Sequence, residues 1–169
     1  LLSESKLPVL YRVHDGPREE KLADLREFLG ELGLGLPGGD DPTPKDYQTV
    51  LSQVAGRPDA DIIQSVMLRS MTQAVYQADN IGHFGLNYDS YTHFTSPIRR
   101  YPDLLVHRAI RGLLRGKKRS ANLKRVADAP SQPLEVSYPY NTGQVDEAGS
   151  HCSLTERRAD EATRSVVNW

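Results

Sequence analysis

The sequence predicts an α+β fold, mainly helical with a few short strands. Three observations carry this. Apolar residues recur at helical spacing in several segments. Short runs rich in β-branched and aromatic residues lie between them. Proline and glycine mark most of the boundaries.

In chain order, Leu7 to Val13 reads as a strand, with Pro8 at its start where a missing donor is tolerated. His14-Asp15-Gly16-Pro17 reads as a turn and helix entry. Pro17 sits at N1, and Glu19 and Glu20 follow in the first turn. Leu22, Leu25, Leu29 and Leu32 follow helical spacing until Gly33. Gly33 to Gly38 formally matches G-x-G-x-x-G, but a helix precedes it and a Pro/Gly loop follows. A nucleotide fingerprint needs a strand before it and a helix starting inside it, so these glycines read as a helix cap and a turn.

Thr43-Pro44-Lys45-Asp46 reads as an N-cap with proline at N1, and Tyr47, Val50, Leu51 and Val54 carry the helix to Gly56. Arg57 to Asp61 opens the next helix, with Ile62, Ile63, Val66, Met67 and Ala74 as its apolar stripe. His83 to Leu86 and Tyr91 to Thr95 read as two short strands around a polar turn. A helix then opens at Pro102, with Leu105, Val106, Ala109, Ile110, Leu113 and Leu114 on its apolar side. Arg108, Arg111 and Arg115 fall towards the other side, a face open either to solvent or to a nucleic-acid backbone. Residues 116–144 hold few large apolar side chains and three prolines, and are expected to be a loop or insertion. Val145 to Trp169 is a helix candidate with a seam of mostly small residues: Val145, Ala148, Cys152, Thr155, Ala159, Ala162, Val166 and Trp169. Gly149 is unfavourable in a helix interior, so a later start at the Ser153–Glu156 capping box is also open. Glu156 is expected on a solvated, ion-paired face.

The chain has 169 residues and a formal net charge of −1. That length suits one domain or part of a larger one. With no global basic field, any anion binding must come from a local patch. The single cysteine, Cys152, excludes an internal disulfide framework and fits a reducing, cytoplasmic compartment. No apolar run approaches the roughly 20 residues needed to span a bilayer, so no membrane partner is expected. The chain lacks a starting methionine and ends at Trp169 in mid-pattern, so it reads as a piece of a longer protein.

The most informative stretch is His93-Phe94-Thr95-Ser96-Pro97-Ile98-Arg99-Arg100-Tyr101-Pro102-Asp103. Its two prolines fix φ and disfavour the α region at Ser96 and Tyr101. Two guanidiniums then sit on a stiff connector ahead of a positive helix end. A guanidinium fork matches phosphate geometry, so the connector reads as a grip for an RNA backbone phosphate. The alternative is that Arg99 and Arg100 pair with carboxylates elsewhere.

Other chemistries find little support. No G-x-S-x-G occurs, and Cys152 lies on an apolar seam. The five histidines are scattered, and H-E-x-x-H is absent. Asp40-Asp41 lies in a Gly/Pro loop, and Asp59 and Asp61 point in different directions, so neither pair makes a metal site. No metal-ligating residues are assigned in this chain.

His83-Phe84-Gly85-Leu86, the central motif through Leu104, and His107-Arg108 closely resemble the catalytic signature of the ribonuclease II/ribonuclease R family, or RNB domain. Leu7 to Asp15 and Cys152 to Ala162 resemble the same family. The resemblance implies the C-terminal half of the catalytic domain of a processive 3′→5′ exoribonuclease. Such an enzyme hydrolyses RNA to 5′-mononucleotides with Mg²⁺. The metal-binding aspartates, the aromatic clamp and the flanking RNA-binding domains would lie outside this chain, so the piece alone is expected to be inactive. Its partners would be single-stranded RNA, the remainder of the catalytic domain and those flanking domains.

By the same resemblance Arg99 is the phosphate-contacting catalytic arginine. Arg100 and Tyr101 would support the channel wall, and Ser96 and His93 of the same motif complete the RNA-binding set. A glutamate that matters in some relatives aligns with Thr163, so its role is not transferred. A rival reading is a non-catalytic single-strand RNA-binding module using Arg99, Arg100 and the Arg108/Arg111/Arg115 face. A weaker rival is a scaffold packing through the Val145–Trp169 seam.

Overall fold

The computed structural model describes residues 2–115 and 133–167. In chain order the elements are α1 (Leu2–Ser5), β1 (Tyr11–Val13), α2 (Glu19–Glu31), α3 (Pro44–Val54), α4 (Ala60–Ser70), β2 (Val75–Gln77), a 3₁₀ turn (Phe84–Leu86), α5 (Tyr101–Arg115), α6 (Leu134–Ser137) and α7 (Thr142–Val167). β1 and β2 pair in a two-stranded sheet. The expected α+β class, mainly helical, is the class observed. The chain forms two compact units. One comprises Val13–Ala74 and Ile81–Ser90, the other Leu1–Arg12, Val75–Asn80 and Tyr91–Trp169.

The first unit is built on helical spacing. Leu22, Leu25 and Leu29 of α2 bury against Tyr47, Val50 and Val54 of α3 and Ile63 and Met67 of α4. Thr43 and Asp46 close the capping box that starts α3. Gly33 and Gly56, just past α2 and α3, take φ of +70° and +84°, which glycine reaches without steric cost. α2 starts at Glu19 rather than at Pro17, with Arg18 in extended conformation before it. α4 ends at Ser70, short of Ala74, and Met71 turns extended. Ile62, expected on the stripe, is exposed.

Of the strand expected at His83–Leu86, His83 makes isolated bridges to His14 and Tyr88, while Phe84–Leu86 is a 3₁₀ turn. Gly85 explains the difference. Its N–H donates to His14 Nδ1 at 2.9 Å, and a Cβ there would stand 2.7 Å from that nitrogen. Asn87, at φ 54°, then turns the chain back.

In the second unit α7 packs along β2. Val145, Gly149 and Ser153 are its buried residues. The Ser153 hydroxyl donates to the Gly149 carbonyl at 2.9 Å and accepts the Tyr76 N–H at 2.9 Å. Ser153 is therefore mid-helix and caps nothing. α7 begins at Thr142, and α6 forms at Leu134–Ser137, so the loop expected over 116–144 is helical at both places. Residues 116–132 lie outside the described residues. The expected seam holds through Cys152 and then stops: Thr155, Ala159, Ala162 and Val166 are exposed, and Trp169 lies outside the described residues. Val75–Gln77 was not expected as a strand. Tyr91–Thr95, expected as one, forms none. Its Tyr91 carbonyl accepts the Arg12 N–H, and its Thr92 hydroxyl donates to the Leu10 carbonyl at 2.7 Å.

Gly149 is needed for the α7–β2 contact. A Cβ there would sit 2.6 Å from the Tyr76 carbonyl oxygen and 2.8 Å from Leu10 Cδ2. Backbone cannot yield as a side chain can. Gly149→Ala is expected to destabilise the protein by about 1–3 kcal/mol despite alanine's better helix propensity. Gly30 of α2 has open space at its Cβ, so Gly30→Ala should instead gain up to about 1 kcal/mol. Denaturant unfolding of both variants checks the contrast.

Candidate functional site

Ser96 organises the connector ahead of α5. Its carbonyl accepts the N–H groups of Arg99 at 3.2 Å and Arg100 at 3.0 Å, which closes a tight turn around Pro97 and Ile98. Its own N–H donates to Asp103 Oδ1 at 2.8 Å. Arg100 Nη2 donates to the same oxygen at 2.8 Å. The turn is thus tied to the first turn of α5. The Asp103 side chain is fully buried and that of Arg100 is 24% exposed. Burial alone would raise the Asp103 carboxyl, but the Ser96 N–H and the Arg100 guanidinium outweigh it and hold the group below its usual range.

The two adjacent arginines therefore do different work. Arg100 is occupied by Asp103. Arg99 is exposed, and among the described residues its guanidinium meets no carboxylate. Ile98 beside it is fully exposed. The backbone fixes the position of Arg99, and its side chain lies exposed.

Behind the connector lies a network that sequence reasoning missed. Arg12 forks onto Glu156 of α7 at 2.6 and 3.2 Å, and its guanidinium lies 4.5 Å from the centre of the Tyr76 ring. Tyr76 Oη and His93 Nδ1 share a hydrogen bond of 2.7 Å. Burial pushes the Tyr76 phenol up to about 12. Burial, then the Arg100 and Arg12 charges, lower the His93 imidazole, which favours its neutral form. His93 thus faces inward rather than offering a free ring. Arg12 and Glu156 are 144 residues apart, and neither carries a local signal of the pairing. Glu156, expected on a solvated, ion-paired face, is ion-paired, but its partner is a mostly buried arginine from the other end of the chain.

Phe94 stacks flat on His107 of α5, with ring centroids 4.3 Å apart, and His107 Nε2 lies 2.9 Å from the Phe94 carbonyl. Tyr101 is partly exposed. Its hydroxyl joins a hydrogen-bonded group with Tyr140 and Arg108, and Arg108 Nη1 donates to Tyr140 Oη at 2.6 Å. The structure thus brings His93, Ser96, Arg99, Arg100 and Tyr101 into one segment. Ser96 and Arg100 are bound into it, and Arg99 is left open.

This arrangement can hold an anion. Among the described residues no group of three or more His, Cys, Asp or Glu side chains converges to hold a metal. Asp59 is held by Arg57 through two contacts of 2.8 Å. Burial, then Glu156, raise the Cys152 thiol, which makes it a poor nucleophile. The Thr163 hydroxyl turns back onto the Ala159 carbonyl. No described helix is long and apolar enough to cross a membrane.

Comparisons with known proteins agree on one family. The RNB domain model matches residues 1–116. Ribonuclease R of Vibrio cholerae is 52% identical over the whole chain, which covers 20% of that protein. The solved structure of Mycoplasma genitalium RNase R with double-stranded RNA superposes with a TM-score of 0.76 at 28% identity, over 97% of this chain and 27% of that one. The same protein with ribose-methylated single-stranded RNA gives a TM-score of 0.74 at 28% identity, over 97% and 24%. The chain spans about a fifth of the length of the curated relatives it matches. With the domain match extending over more than half of its residues, the chain belongs to the RNB domain family.

Proposed function

We propose that the chain is the phosphate-gripping part of a processive 3′→5′ hydrolytic exoribonuclease that degrades RNA to 5′-mononucleotides. The observation that carries this is the pairing of a fixed backbone with an exposed guanidinium at Arg99 that meets no carboxylate among the described residues. RNA as the substrate class draws support from the relatives, named Ribonuclease R, and from their RNA complexes.

In this reading Arg99 forks onto the non-bridging oxygens of the phosphate at the cleaved bond. Charge builds on those oxygens as the nucleophile attacks, so the contact strengthens in the transition state and accelerates the step. The Ser96 carbonyl and Asp103 hold Arg99 in register, and Arg100 serves that scaffold. Tyr101 supports the channel wall from the start of α5, and His93 braces the connector through Tyr76. The described residues do not fit the Mg²⁺ that the family resemblance implies, since no set of ligating side chains converges. Its ligands belong to other parts of the protein, as do the flanking RNA-binding domains. The protein is proposed to act in the cytoplasm.

The test is product analysis with the full-length protein on RNA labelled at its 5′ end. Shortening from the 3′ end with release of 5′-mononucleotides is expected, while the 169-residue chain alone leaves the RNA intact. Binding by the full-length protein without any shortening would instead favour a non-catalytic single-strand binding module.

A further inference from the structure

A second basic feature lies further along α5. Arg108, Arg111 and Arg115 line one groove together with Val136, Ser137, Pro139 and Tyr140, with a volume of about 370 Å³. Among the described residues no carboxylate pairs with any of the three guanidiniums. Arg108 is anchored by Tyr140 at 2.6 Å, while Arg111 is exposed on the same side. The spacing is regular. Steps of three and four residues along an α-helix advance by about 4.5 and 6 Å. Three guanidiniums on that pitch form a ladder of charge rather than a single pocket. Groove, hydroxyls and ladder together suit an extended polyanion with repeating phosphates.

We propose that Arg108, Arg111, Arg115 and Tyr140 form a second backbone-phosphate track, which binds single-stranded RNA outside the Arg99 connector. This rests on the exoribonuclease reading for its choice of RNA as the polyanion. RNA is favoured over an acidic protein because the groove is lined mostly by charged and hydroxyl groups. Its one aliphatic side chain other than proline, Val136, is 67% exposed and supplies no deep anchor. A single strand threads such a groove through its phosphates with little regard to sequence. The track would add affinity and take no part in bond cleavage.

The test measures RNA affinity of the full-length protein against salt, with EDTA present to block turnover. Each phosphate contact contributes about 0.7 to the slope of log K against log salt for a single strand. The double variant Arg111→Gln/Arg115→Gln is expected to flatten that slope by about 1.4. The double variant Arg111→Lys/Arg115→Lys keeps the charges and should retain most of it. An unchanged slope in the glutamine variant overturns the track. So does an equal loss in the lysine variant, which would trace the effect to packing. Unchanged RNA binding with lost binding of polyglutamate would also overturn it, in favour of an acidic protein partner. The exoribonuclease reading fails separately, if wild-type protein binds RNA with the full slope yet, with Mg²⁺ in place of EDTA, releases no mononucleotide.

Discussion

Replacing Arg99 by alanine in the full-length protein is expected to slow RNA cleavage by about 10²-fold or more, with thermal stability unchanged. The size follows from where the charge acts. A contact made equally to substrate and transition state would raise KM and leave kcat alone. In the proposed role, a guanidinium beside the cleaved linkage meets more negative charge as the bond breaks, so the loss should fall on kcat. Stability should not move, because the Arg99 side chain is exposed and meets no described carboxylate. Arg99→Lys keeps the charge but loses the planar fork, and should recover only part of the rate. Single-turnover cleavage and a thermal melt on the same samples check both halves. Cleavage by Arg99→Ala at the normal rate would refute the assignment.

Asp103→Ala should show the largest stability effect, a loss of about 2–4 kcal/mol. Breaking a buried ion pair by removing one partner typically costs about 3–5 kcal/mol, and the partial exposure of Arg100 lowers that range. The variant leaves the Arg100 guanidinium and the Ser96 N–H without their shared oxygen. The turn around Ile98 would then loosen, and cleavage should fall with stability although the Asp103 side chain is fully buried. Asp103→Asn keeps one acceptor and should lose less. The pH dependence has a definite sign. The folded pKa of Asp103 lies below its ordinary 3.8, so its stabilisation is present above that value. It is lost as pH falls through the folded value. Denaturant unfolding across acid pH should therefore show a shallower decline for Asp103→Asn than for wild type.

His93 works in the opposite chemical sense but along the same pH axis. Its folded pKa lies below the ordinary 6.5, so the folded state favours the neutral ring. That stabilisation is complete above about 6.5 and erodes as the unfolded chain takes up a proton below it. These two groups, one on each flank of the connector, make the local fold sensitive to acid.

Helical frame and motif were both readable from local stretches of sequence. α2, α3 and α4 follow from leucine and valine spacing and from the Thr43–Asp46 box, because helix periodicity and capping are local physics. The Ser96–Asp103 segment was legible only in part: its prolines mark the connector, but Tyr101, expected outside the α region ahead of Pro102, is the first residue of α5. Residue types alone could not say which arginine is free. Arg99 and Arg100 are identical side chains one position apart, and only the placement of Asp103 one helical turn onward takes Arg100. The tertiary structure likewise decided the short elements. Phe84–Leu86 became a 3₁₀ turn where Gly85 closes on His14, and Val75–Gln77 became a strand because it pairs with β1 from far earlier in the chain. Glu156 met Arg12 across 144 residues of chain for the same physical reason: long-range partners are chosen by packing, which no local window contains.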